Sequence, residues 1–136
     1  MTNYFLLNLI VLIAFITSSS FLAATADQLP GVLTIHDLRD WSVIYMSSRG
    51  LGELNATLDH IKGLAWEDYH NQYFNEDDAK DYVPRILELL ENNNDEEIVT
   101  FFQQVRFSKD SQWLWHMSSV RILTRNAEGT PLLVIV

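Results

Sequence analysis

Four histidines, His36, His60, His70 and His116, are the residues of this chain best suited to moving a proton or holding a metal. His36-Asp37, His60, His70 and Asp77-Asp78 make only a loose set of ligand types. No two stand at i and i+4, the spacing by which one helix face grips zinc. Asn92 to Glu97 is acidic, but it lacks the alternation and the glycine of a calcium loop. Ser118 and Ser119 fall within a strand-like run, with no turn to expose a nucleophile. Neither a catalytic residue nor a metal site is expected. The informative pairs are Thr34 with His36 and His116 with Ser118, each two residues apart and so on one face of a strand. If both faces turn inward, four polar groups would line an otherwise apolar cavity, the usual composition of a small-molecule site. The competing reading is two structural histidines bonded to backbone or water.

The elements that must position these groups follow from periodicity. Ile98 to Phe107 is rich in β-branched and aromatic residues and predicts a strand, with Gln103 and Gln104 in its middle. After the turn Ser108–Ser111, Gln112 to Arg125 alternates. Trp113, Trp115 and Met117 point one way, and Leu114, His116, Ser118 and Val120 the other. Asn126 to Gly129 supplies a tight turn with Gly129 free to take positive φ, and Thr130 to Val136 is apolar enough for a central strand. Upstream, Val32 to Leu38 and Ser42 to Ser47 predict a hairpin. Arg49 to Gly52 then looks like a flexible connection to short helical pieces, Glu53–Leu54 and a second one capped by Thr57 and stopped by Gly63.

Trp66, Tyr69, Tyr73 and Phe74 are spaced to pack a helix onto the sheet. Asn75 with Asp78 opens the main helix, which runs to about Asn92 with Ala79, Val83, Ile86, Leu87 and Leu90 as its apolar stripe and a kink expected at Pro84. Two strands, helices and three strands predict an α+β fold: a five-stranded antiparallel sheet with helices on one face.

Composition narrows the function classes. A formal charge of −9 with no basic stripe opposes direct nucleic-acid binding. The apolar fraction of 48% supports a real core. Residues 4–26 carry no charge, and as a helix Leu6 to Ala26 would extend about 30 Å, enough to cross a bilayer. Ala24-Thr25-Ala26 before Asp27 has the small-x-small pattern of a signal-peptidase site. Met1 to Asn8, however, has no Lys or Arg, and Thr17 to Ser20 interrupts the apolar run. Residues 1–26 are therefore a cleaved signal, a membrane anchor or an N-terminal hydrophobic helix of the fold, and 27–136 the folded domain. Localisation follows the same split: cytoplasmic, membrane-tethered with a cytoplasmic domain, or exported. Asn55-Ala56-Thr57 fits a glycosylation sequon, which matters only on a eukaryotic secretory route.

From Pro30 to Val136 the chain resembles a PAS sensory domain, similar to those of bacterial regulators with a LuxR-type output. The resemblance is carried by element order and by matching stretches. These are Thr34-Ile35-His36-Asp37, Val43 to Ser47, the acidic opening Phe74-Asn75-Glu76-Asp77, and Gln112 to His116 followed by Arg125 to Gly129. It implies a sensory module that binds a small ligand or a partner protomer and relays a conformational change, with the output domain absent from this chain. It also implies that the first and fourth strands are neighbours at the sheet centre, that the cavity uses Thr34, His36, His116 and Ser118, and that the outer face carrying Trp113, Trp115 and Met117 meets a second protomer or an N-terminal helix such as the Leu22 to Leu29 region. Homodimerisation is the expected assembly.

Among the family's cofactors, covalent flavin is excluded because there is no cysteine, and haem is not expected because Asn75 to Asn92 contains no histidine, leaving His60 or His70 outside that helix. Two alternatives are an exported α+β ligand-binding or NTF2-like enzyme domain and a bare dimerisation domain with a filled core. An NTF2-like chain places long helices before its sheet. A filled core would leave no cavity.

Overall fold

The computed structural model describes residues 20–136. The signal-peptide and anchor readings fall mainly on residues 1–19 and lie outside the described residues. Residues 20–26 are helical (α1), and among the described residues no helix is long and apolar enough to cross a membrane.

Strands β1 (Thr34–Asp37) and β2 (Ser42–Met46) precede four helices: α2 (Ser48–Leu54), α3 (Leu58–Lys62), α4 (Trp66–Tyr73) and α5 (Glu76–Glu91). Strands β3 (Val99–Val105), β4 (Leu114–Arg125) and β5 (Pro131–Ile135) close the chain. All five strands form one sheet in the order β2-β1-β5-β4-β3, with every pairing antiparallel. The α+β class expected from the pattern is what forms.

One expectation about the sheet is corrected. β1 and β4 are not adjacent, because β5 lies between them and pairs with both. His36 and Ile122 each face Val134 across the ladder. The apolar run Pro131–Ile135 explains the placement, since a strand flanked on both sides in mid-sheet has little polar surface to offer water.

The helices obey local rules with two exceptions. Thr57 caps α3 through a bond from His60 N–H (3.2 Å), and Asn75 caps α5 by accepting from Asp77 N–H (2.9 Å). Gly129 takes φ 84° in the β4–β5 turn. Arg49 to Gly52, however, is not a loose connection but the body of α2. The Asp27 carboxylate accepts from both the backbone N–H and the hydroxyl of Ser48 (2.9 Å each), which stabilises the helix start from a distant segment. Gly50 is needed there for space: a Cβ would come within 2.6 Å of Val32 Cγ1 and 2.8 Å of Met46 Cγ.

On α5 the core face is carried by Tyr82 and Leu89, with Ala79, Val83, Ile86 and Leu90 beside them, whereas Leu87 is 46% exposed. The true face is thus rotated from the expected stripe, since Tyr82 and Leu89 rather than Leu87 turn inward. The helix runs through Pro84 from Glu76 to Glu91, and that residue faces solvent, where the carbonyl it leaves unpaired can meet water.

Two apolar clusters hold the layers together. Val43, Met46, Ile61, Tyr69 and Tyr73 join β2 to α3 and α4. Tyr82, Leu89, Phe101, Val120 and Val134 join α5 to β3, β4 and β5. The outer edge of β3 is closed by polar contacts. Asp78 accepts from Gln104 N–H (2.7 Å), Asn75 N–H donates to Gln104 C=O (3.1 Å), and Arg85 donates to Thr100 C=O (2.9 Å). An edge occupied this way resists strand addition.

Candidate functional site

Strand parity builds the site. On the inner face of β4, His116 lies opposite Gln103 and Ser118 opposite Phe101 of β3. On β1, Thr34 and His36 are buried and pair with Met46 and Val43 of β2. A cavity of about 480 Å³ opens between this inner face and helices α2 and α4, within the size range of small-molecule sites. Thr34, His36, His116 and Ser118 all line it, although β5 separates the two strands that carry them. Its apolar walls are aromatic and aliphatic: Met46, Leu54, Tyr69, Tyr73, Phe74 and Phe107.

His36 is buried, 8% exposed, and its ring is met edge-on by Trp66 (5.9 Å) and Tyr69 (6.0 Å). Its Nδ1 bonds the carbonyl of Trp41 at 3.1 Å. A carbonyl can only accept, so Nδ1 carries the proton and neutral His36 keeps its lone pair on Nε2. Trp41 is one of two non-glycine residues with positive φ among the described residues (φ 62°), and this left-handed turn directs its carbonyl to the imidazole. Burial pushes the His36 pKa below the ordinary histidine value, partly opposed by the Trp41 bond, so the ring is neutral at pH 7.

His116 shares the same tautomer in its neutral form, since its Nδ1 bonds the Leu114 carbonyl at 3.1 Å. Gln103 donates through Nε2 to Ser118 Oγ (2.8 Å), joining two strands across the cavity wall. Sequence parity did not single out Gln103, Trp41 or Tyr69 as site residues. Gln103 could have been found from the strand pattern, because it alternates with the buried Phe101 and Val105. Leu114 shares the inner parity yet is 45% exposed, because it opens the strand beyond the helical cover.

The other histidines lie apart from this wall. His70 bonds Tyr82 Oη at 2.7 Å and stacks on Phe74, linking α4 to α5, while His60 is exposed on α3. Among the described residues no group of three or more His, Cys, Asp or Glu gathers as a metal cage.

On the opposite face of the sheet, Phe102 pairs with Met117 and Gln104 with Trp115. Phe102, Trp115 and Met117 are 65%, 64% and 67% exposed. Trp113 precedes β4 and is covered by the Arg106 guanidinium, 4.6 Å from the ring centroid. The Leu22 to Leu29 region does not cover this trio. Its Asp27 is tied to the start of α2 instead, and the aromatic face stays open.

No protein-family model matches the sequence, and no curated protein is similar to it in sequence. Solved structures are similar in fold. The PAS-B domain of Drosophila melanogaster Cycle with bound ethylene glycol aligns at TM-score 0.60 and 15% identity, over 77% of this chain and 94% of that one. The PAS domain of an HTR-like protein from Haloarcula marismortui aligns at TM-score 0.58 and 18% identity, over 88% and 94%. The N-terminal domain of a diguanylate cyclase with PAS/PAC sensor from Marinobacter aquaeolei aligns at TM-score 0.58 and 13% identity, over 76% and 88%. With its five-stranded antiparallel sheet covered by helices, this chain has the PAS fold of these domains.

Proposed function

We propose that this chain is a sensory module. Its cavity binds a small molecule, and its outer sheet face carries the response to a second copy of the chain. The observation that supports the first part is the cavity itself, about 480 Å³ with apolar walls and few polar groups, among them a buried neutral histidine. A core filled for dimerisation alone would have little reason to keep that space, since a packed interior is the more stable arrangement. The second part is supported by Phe102, Trp115 and Met117 standing open beside a closed β3 edge, which leaves the face rather than the edge for a partner. The NTF2-like alternative is disfavoured by element order, because two strands precede every helix of the sheet's cover.

Native mass spectrometry of purified protein tests both parts together. The expected spectrum contains a dimer and a co-purified or added small molecule. A strictly monomeric, ligand-free species that takes up no small-molecule probe would overturn the reading.

A further inference from the structure

The chemistry of the cavity wall narrows what it can hold, given the ligand-binding reading above. His36 Nε2 has no hydrogen-bond partner among the described residues, and among those residues no buried side-chain nitrogen or oxygen is left both enclosed and unpaired. Nε2 therefore meets open space, and the open space beside His36 is the cavity. The same reasoning applies to the buried Tyr69, whose hydroxyl has no partner among the described residues and which lines the same space.

The polar wall then has a definite polarity. His36 Nε2 is a lone pair, because its Nδ1 proton is committed to the Trp41 carbonyl. Gln103 has its amide N–H directed at Ser118, which leaves Oε1 as a further acceptor. The hydroxyls of Thr34, Tyr69, Tyr73, Ser118 and Ser119 can act either way. No lysine lines the cavity, and its one arginine, Arg49, is exposed on α2 at the rim near Glu53. An anion would meet the His36 and Gln103 lone pairs with no lysine or arginine inside to compensate.

We propose that the cavity selects an uncharged, largely apolar molecule that presents N–H or O–H donors to His36 and Gln103. A ligand of the same shape without a donor would bury His36 Nε2 unpaired, and an unpaired buried acceptor costs more than a bond gains. An anionic ligand of similar size is rejected.

The test is an NMR titration of the full chain with three probes: indole, benzofuran and benzoate. Indole and benzofuran share size and shape, but only indole carries an N–H. Indole is expected to bind about tenfold tighter than benzofuran, the difference one such bond makes, and benzoate is expected not to bind. His36→Asn keeps an amide N–H for the Trp41 carbonyl and lacks Nε2, so it should shrink the indole preference. Gln103→Leu, close to isosteric, checks the second acceptor should His36→Asn fail to fold. Equal affinity for indole and benzofuran overturns the donor class while leaving the cavity a ligand site. So does an indole preference that survives in every folded variant. If no probe binds, the ligand-binding reading itself falls, and this inference with it.

Discussion

Removing the hydroxyl of Tyr82 isolates the bond that ties the cavity helix to the sheet helix. Tyr82 is 4% exposed, its ring stacks on Phe101 at 4.5 Å, and its Oη lies 2.7 Å from His70 Nε2. Tyr82→Phe keeps the ring and its stacking. It deletes one buried hydrogen bond and leaves His70 Nε2 unpaired between Trp66 and Phe74. The lost bond and the stranded nitrogen together should cost about 1–3 kcal/mol. That corresponds to a fall in Tm of about 3–6 °C per kcal/mol for a domain of this size. Urea unfolding with an unchanged m-value is the assay.

The double variant His70→Phe/Tyr82→Phe sharpens it. With both polar partners gone and apolar rings in their places, no orphan remains, so the double should be more stable than Tyr82→Phe alone. A Tyr82→Phe loss below about 0.5 kcal/mol, within the range of ordinary surface changes, would refute the reasoning. A double variant whose losses simply add would refute it too.

Other perturbations follow from the same structure. Gly50→Ala drives a methyl against Val32 and Met46 and should destabilise by about 1–3 kcal/mol, whereas Gly52→Ala, with open space around it, should be neutral or stabilising in the same urea assay. Asp27→Ala removes the carboxylate from the start of α2 and should cost about 0.5–2 kcal/mol, read as a lower urea midpoint; an unchanged midpoint would show that the contact contributes nothing. Burial lowers the pKa of both His36 and His70, so on acidification the unfolded chain takes up protons before the folded one does. Stability should therefore fall as pH drops through about 6.5 towards the depressed folded-state values and level off below them, and a flat urea midpoint between pH 7.5 and 5 would contradict it. Glu76 partly opposes the shift at His70. Trp115→Glu with Met117→Glu should leave the fold intact and abolish the proposed dimer by size-exclusion chromatography, because both side chains project from the outer face.

Local chemistry made much of this molecule legible in advance. Alternation along Gln112 to Arg125 put His116 and Ser118 on one face and Trp115 and Met117 on the other, since a strand turns each successive side chain over regardless of its neighbours. Asn75, Thr57 and Gly129 announced their cap and turn roles because those roles depend on bonds and dihedrals within a few residues. What needed the folded chain were relations between distant segments. Arg49 to Gly52 is helical partly because Asp27, far away in sequence, bonds its first turn. Gln103 joins the site because the β3–β4 register sets it opposite His116. β5 comes between β1 and β4, and the Trp41 carbonyl decides which nitrogen of His36 is left to the cavity. Periodicity reports which way a side chain faces; only the packing of one segment on another decides what it faces.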